Sequence, residues 1–339
     1  MDFYHLSHTD LDGYTCQYIT KHIYHEGFFV NANYGEEVTV RIDEILHRIE
    51  RSMKENVFFL ITDLNLSEDE AAYLDNEIKR FKDKNIKLLL LDHHASGIET
   101  AEKFEWYHLD VTKSASKITY DYFNNGNNIS HLEKFIDAVN AVDIWLQEDP
   151  LFEFGKVLMR LVDEAKEINR FTFNSAHIRY KHTMLSKALP YIEKENNYIL
   201  LDDDICKIKK SFFIKSNNDT LDNLVTNYIL DLIEAKKEEM TIYFQGNKGI
   251  LTYGIQNSSI VGNGFLRLNP DYHFFMNVSP RGTFSLRADN KMDVSKMAEL
   301  IAGGGGHPNA SGGKLKEFKE FFIYDELKSF VEALLKDKE

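Results

Sequence analysis

Ser7-His8-Thr9-Asp10-Leu11-Asp12-Gly13 follows directly on the apolar opening Phe3-Tyr4-His5-Leu6. The opening reads as a short strand, and the segment 13–27 carries helical periodicity that stops at Gly27. Between them, one imidazole and two carboxylates stand on alternate residues. Carboxylates this close repel each other unless something positive lies between them. A strand, an acidic turn and a helix is the opening of a βαβ fold with a cation site at its first turn.

The same rhythm continues outward. A second helix covers 38–55, an apolar strand 57–63, and a helix 67–84 carries acids early and bases late, as the helix dipole favours. Residues 86–94, Ile-Lys-Leu-Leu-Leu-Leu-Asp-His-His, form another buried strand. Near-continuous apolar strands alternating with helices predict a parallel sheet covered by helices, an α/β fold. From Ser114 to Leu146 the pattern is helical, and 152–237 stays mostly helical. Strands then follow at 241–245, 249–255, 272–278 and 283–289, a helix at 293–302, the run Gly303-Gly-Gly-Gly-His-Pro-Asn-Ala-Ser-Gly-Gly313, and a last helix over 323–337. The expected organisation is an N-terminal α/β domain (1–150), a helical connector (151–239) and a smaller C-terminal α/β domain (240–339), with the active site in the cleft between the domains.

The 339 residues carry a formal net charge of −14, which argues against broad binding of duplex DNA. It leaves room for a nucleotide held in a local pocket. Cys16 and Cys206 are too few for a zinc pattern or a disulfide framework, and both are expected as buried thiols of a reducing cytosol. No basic and apolar leader opens the chain, and no apolar run is long enough for a bilayer, so a cytoplasmic protein without membrane association is expected.

The acids and histidines fall at matching places. His8, Asp10 and Asp12 follow the first strand, Asp63 ends the second, and Asp92, His93 and His94 end the third. Ligands of open α/β sheets bind at the carboxyl ends of strands. Asp143, an acid in the apolar segment Ala141-Val-Asp-Ile-Trp145, is a fourth contributor. Carboxylates with imidazole and no thiolate suit Mn²⁺ or a similar hexacoordinate divalent ion, with Mg²⁺ or Co²⁺ as alternatives. So many acids suggest two ions sharing a carboxylate, a device for phosphoester hydrolysis. Taken singly each residue has a plainer reading; Asp12, for instance, also suits a helix cap.

These motifs, Ser-His-Thr-Asp-Leu-Asp-Gly, the Asp of Ile61-Thr-Asp-Leu-Asn65, Leu91-Asp-His-His94 and the Asp of Ala141–Trp145, resemble the four motifs of the DHH phosphoesterases. The 303–313 run is similar to the glycine signature of the DHH-associated C-terminal domain. The resemblance implies that His8, Asp10 and Asp63 hold one ion and that Asp12, Asp63, His93 and Asp143 hold the other, with Asp63 bridging. It implies that His94 contacts the phosphate or serves as general acid while Asp92 orients the imidazoles. Ser116, within Lys113-Ser-Ala-Ser-Lys117, would wall the site. Arg287 would clamp a phosphate, and Gly305, Gly306, His307 and Asn309 would offer a flexible anion-binding turn with donors to a phosphate, sugar or base. The compact His-x-Asp-x-Asp-Gly form looks closest to the oligoribonuclease (nanoRNase) branch. That branch implies hydrolysis of short RNA or dinucleotides to nucleoside 5′-monophosphates. Removal of the 3′-phosphate from adenosine 3′,5′-bisphosphate and hydrolysis of cyclic mono- or dinucleotides use the same site. A RecJ-like single-strand exonuclease and a nucleotide-binding regulator without catalysis are the rivals. The expected partner is a short RNA or nucleotide, with a homodimer allowed. Lys207–Lys215, which mixes lysines with two phenylalanines, reads either as an RNA-tracking element or as an amphipathic one.

Overall fold

A computed structural model describes residues 1–338 of the chain. It contains two compact units. One joins Met1–Ala165 to Ile178–Lys209, and the other joins Lys166–His177 to the chain from Lys210 onward. The helices of 151–239 (Phe152–Glu164, Asn174–Ala188, Asn197–Phe213 and Leu221–Met240) are thus distributed over both units.

The first unit is built on a five-stranded sheet: β1 (Asp2–Ser7), β2 (Phe28–Asn31), β3 (Asn56–Thr62), β4 (Asn85–Asp92) and β5 (Tyr107–Leu109), in the order β2-β1-β3-β4-β5. Every pair in it is parallel. The sheet is buried on both faces, which is why β3 reads as an unbroken apolar run: Val57 to Ile61 are at most 2% exposed. The helix Glu36–Arg51 lays Val38, Ile42, Ile45 and Ile49 against this core, one stripe at helical spacing. The helix Leu11–Lys21 is buried from Leu11 to Thr20. Ser67 starts the helix Glu68–Arg80 with a capping box closed by Glu70.

Order and register place the site. Ser7 lies beside Thr62 and Asn31, and Thr62 beside Leu91, so β1, β3 and β4 end on one rim. β1 is flanked by β2 on one side and β3 on the other. The crossovers therefore leave in opposite directions, and a crevice opens at the carboxyl ends of β1 and β3. His8 and Asp63 are the next residues on those two strands.

The second unit carries a six-stranded mixed sheet: β6 (Thr241–Phe244), β7 (Asn247–Tyr253), β8 (Phe274–Val278), β9 (Thr283–Ala288), β10 (Gly305–His307) and β11 (Ala310–Lys314), in the order β10-β11-β9-β8-β7-β6. Only β7 and β8 are parallel neighbours. Its core joins alternate residues of β6, β7, β8 and β9 to the helices Val294–Ala302 and Tyr324–Lys336.

Two expectations need correction. The glycine run is a β-hairpin rather than a flexible turn, because its glycines admit close backbone approach. A Cβ on Gly304 would lie 2.3 Å from the Gly312 carbonyl oxygen, and one on Gly306, at φ 146°, 2.6 Å from that of Ala310. Cys16 is buried, but Cys206 is exposed, on the outer side of its helix. Of the segment 207–215, Phe212 and Phe213 pack on Tyr228 and Lys207 pairs with Asp204, which is amphipathic packing.

Candidate active site

The turn after β1 is fixed by two residues. Asp10 is the N-cap of the helix Leu11–Lys21 and accepts from the Gly13 amide at 3.0 Å. The cap is therefore Asp10, and Asp12 lies in the first turn, free for another task. Gly13 is required because a Cβ there would sit 2.4 Å from the His8 carbonyl oxygen. Ser7 Oγ donates to the Gly13 carbonyl at 3.0 Å and tightens the same turn. The Asn31 amide donates to the His8 carbonyl at 2.6 Å.

Asp63 is the centre of the arrangement. It leaves β3 in the left-handed region at φ 56°, an uncommon conformation that turns its carboxylate into the crevice. Its Oδ2 lies 3.8 Å from His8 Nδ1, and its Oδ1 lies 3.4 Å from His93 Nε2. His8 Nδ1 is also 2.8 Å from Asp10 Oδ2, and His93 Nε2 is 3.5 Å from Asp143 Oδ2. Asp143 is the last residue of the helix Glu133–Asp143. The structure thus gathers His8, Asp10 and Asp63 into one set of convergent ligand atoms and Asp12, His93 and Asp143 into a second, with Asp63 within reach of both.

The electrostatics of these residues demand a counter-charge. Burial, together with Asp10, Asp12 and Asp143, pushes the Asp63 carboxyl far above its ordinary range. Burial, then Asp12 and Asp10, push Asp143 up to about 9. Burial and Asp10 raise Asp12. One carboxylate oxygen on Asp63 and one on Asp143, both Oδ2, are buried without a hydrogen-bond partner. Orphaned carboxylate oxygens facing imidazole nitrogens are the donor set of a divalent cation site, and the residues fit two such ions.

Around this centre stand residues that hold it in place. Both Asp12 oxygens accept backbone amides at the start of the helix Ala115–Phe123, Oδ2 from Ala115 at 2.7 Å and Oδ1 from Ser116 at 3.0 Å. Ser116 is wholly buried, its hydroxyl 3.0 Å from Ser114 Oγ, so it supports Asp12 instead of lining a substrate pocket. Asp92 is also fully buried. It accepts from the Tyr107 hydroxyl at 2.8 Å and lies 2.7 Å from His94 Nδ1. Its partner is His94; His93 turns to Asp63 and Asp143. Burial alone would lower the His94 pKa, but Asp92, with Asp10 and Asp12 behind it, outweighs burial and raises the pKa. For His93, burial wins and favours the neutral ring that a ligand must be.

Tyr34 belongs to the site and was not among the residues singled out from the sequence. Its hydroxyl is 3.1 Å from His94 Nε2, and its ring lies 5.0 Å from that of His8. It sits in a loop after β2, a four-residue edge strand, and nothing in its local pattern marks it. The same holds for Asn31 and Tyr107, whose roles depend on strand pairing.

In the second unit, Arg287 on β9 donates through Nη1 to the Leu286 carbonyl at 2.8 Å and through Nη2 to Ser259 Oγ. His307, Ala310 and Arg287 are cross-strand partners in register and so share one sheet face. His307, Gly305 and Gly306 are exposed. The Asn309 amide is engaged with Asn290: its Oδ1 accepts from the Asn290 backbone at 2.9 Å, and its Nδ2 donates to Asn290 Oδ1 at 2.8 Å. That reciprocal pair ties the hairpin to the loop after β9.

No family model matches the chain. The chain is 40% identical, across 98% of its own length and 99% of the relative's, to a 3′,5′-cyclic-nucleotide phosphodiesterase of Helicobacter pylori strain ATCC 700392 / 26695. It superposes with a TM-score of 0.94 on the crystal structure of an uncharacterized protein from Helicobacter pylori G27, at 40% identity and with 99% of each chain covered. Among the described residues no helix is long and apolar enough to cross a membrane.

Proposed function

We propose that this chain, which belongs to the family of the Helicobacter pylori 3′,5′-cyclic-nucleotide phosphodiesterase and carries motifs that resemble those of the DHH phosphoesterases, is a metal-dependent phosphodiesterase acting on the 3′,5′-phosphodiester bond of a small nucleotide, a 3′,5′-cyclic mononucleotide first of all. One observation carries the reading of its chemistry: Asp63 stands between His8 and His93 with a buried oxygen that no group of the protein satisfies. A buried carboxylate so placed is stable as an anion only when a cation neutralises it. The identity to a cyclic-nucleotide phosphodiesterase over nearly the whole length of both chains supports the substrate class.

His8, Asp10 and Asp63 would hold one divalent ion, and Asp12, Asp63, His93 and Asp143 the other, with Mn²⁺ the expected metal. When bound, such ions supply Lewis acidity toward the phosphoryl group and lower the pKa of water in the site. The protein's own groups do the rest. Asp10, held as N-cap, and Asp12, held by two amides, keep their carboxylates in place. Asp92 holds His94 through Nδ1 and keeps its imidazole protonated toward higher pH. His94 is then the proton donor to the leaving ribose oxygen. Arg287, with its planar fork, is the proposed clamp on a phosphate, and the exposed hairpin around Gly305, Gly306 and His307 the proposed contact to the rest of the nucleotide. Asn309 supports that hairpin.

Linear dinucleotides contain the same bond and are the competing substrate. The test is a product analysis with metal-stripped protein resupplied with Mn²⁺, using adenosine 3′,5′-cyclic monophosphate, a diribonucleotide, a five-residue RNA, adenosine 3′,5′-bisphosphate and a long single strand. Mn²⁺-dependent release of 5′-AMP from the cyclic nucleotide at the highest kcat/KM is expected. Faster release from the diribonucleotide would move the substrate to short RNA. Degradation of the long strand alone, or nucleotide binding without turnover, would overturn the reading.

A further inference from the structure

Trp145 lies two residues beyond Asp143, with its Cα at most about 7.6 Å from that residue's Cα. It is 57% exposed and stands in the left-handed region at φ 61°. The local hydrogen bonds explain the backbone. Leu146 N–H donates to the Ala141 carbonyl at 2.7 Å, the six-to-one bond that closes a helix in the Schellman manner, and Trp145 occupies the position that bond places left-handed. Glycine is the usual residue there, because a side chain strains the conformation. The largest side chain of all fills it here.

Packing does not account for the choice. Trp145 packs T-shaped with Phe152, ring centroids 5.2 Å apart and planes at 87°, and Phe152 is itself 5% exposed. The indole is therefore anchored on the core at one side while more than half of it stays open to solvent. Strain retained at an exposed aromatic, next to a metal-site carboxylate, marks a position kept for contact with something that arrives from solution. A flat, anchored ring beside a phosphodiester site suits the π-face of a nucleobase.

We infer that Trp145 is the residue on which the base of the substrate stacks, so that it sets the preference for nucleotides over other phosphodiesters. The inference rests on the proposed function. Ring stacking is tolerant of base identity, so Trp145 selects for a base without selecting which base.

The experiment compares wild type with Trp145→Ala, Trp145→Gly and Trp145→Phe on adenosine 3′,5′-cyclic monophosphate and on ribose 3′,5′-cyclic phosphate, which lacks the base. The kcat/KM ratio between the two substrates is expected to fall about 10-fold in the alanine and glycine variants, through KM, and to stay within about threefold of wild type in the phenylalanine variant. Trp145→Gly relieves the left-handed strain and is expected to melt above Trp145→Ala, which guarantees a folded variant without the ring. In parallel, 5′-AMP with Mn²⁺ should quench tryptophan emission in wild type and not in Trp145→Phe, where Trp106 alone emits. An unchanged ratio in the alanine and glycine variants overturns the assignment. So does emission that responds equally in wild type and Trp145→Phe. Failure of the proposed function looks different: wild type then hydrolyses neither cyclic phosphate, and the emission titration alone decides Trp145.

Discussion

Asp63 shows how a single residue balances stability against chemistry. Its charge is unfavourable to the metal-free fold, since Asp10, Asp12 and Asp143 crowd a buried carboxylate. Asn is well tolerated at positive φ and matches the shape of Asp. Asp63→Asn is therefore expected to raise the melting temperature in EDTA, to shrink the stabilisation that Mn²⁺ gives, and to lower kcat by about 10³-fold. Calorimetric scans with and without Mn²⁺, beside steady-state hydrolysis, check all three. A variant that melts below wild type in EDTA and still gains the full Mn²⁺ shift would contradict the shared-carboxylate role. At this scale the sequence was highly legible. His8, Asp10 and Asp63 come together in one set of ligand atoms and Asp12, His93 and Asp143 in another, because the ends of β1, β3 and β4 converge on one rim beside the C-terminus of the helix Glu133–Asp143. Ser116 stands apart from that reading, since nothing in its neighbours indicates that its backbone amide and its hydroxyl serve Asp12.

At the scale of the element, the turn from β1 into its helix is the part on which the site depends most. A methyl group on Gly13 would meet the oxygen, carbon and nitrogen of His8 at 2.4, 2.8 and 2.9 Å, all of them backbone atoms that cannot rotate away. Gly13→Ala is expected to cost about 2 kcal/mol or more, and to weaken Mn²⁺ binding because His8 must shift. Chemical denaturation and Mn²⁺ titration of the variant measure both effects. Wild-type stability together with wild-type Mn²⁺ affinity would show the turn to be more compliant than its contacts imply. The strands absent from the sequence reading are short or glycine-rich. β2 and β5 are edge strands of four and three residues, too short for a periodic signal, and β10 and β11 are built from glycines that favour no strand. Register alone makes them strands.

Across the whole molecule, buried histidines outside the site give the fold a dependence on pH. His182 is buried against the rings of Tyr18 and Phe29, with Nε2 unpartnered. Burial, then Lys21 and His22, lower its pKa to about 3. His5, between Thr20 and Thr62 at 2.8 Å each, is shifted the same way by burial and by His182. The unfolded chain binds a proton near pH 6.5 that the folded His182 refuses, so its contribution is complete above that pH and is lost as pH falls below it. Relative to wild type, His182→Phe should therefore gain stability by about 1.4 kcal/mol per pH unit between pH 6 and 4. Denaturation curves of the two proteins that stay parallel over this range would rule the effect out. The layered α/β architecture was readable from hydrophobic runs, whereas the grouping of the helices 151–239 depends on tertiary packing that no local pattern encodes. The most direct test of the account is the metal count itself. An anomalous difference map at the manganese edge, from a crystal grown with Mn²⁺, should contain two peaks in each chain, one among His8, Asp10 and Asp63 and one among Asp12, Asp63, His93 and Asp143. A single peak, or peaks that leave Asp63 out of contact, would contradict the two-ion centre.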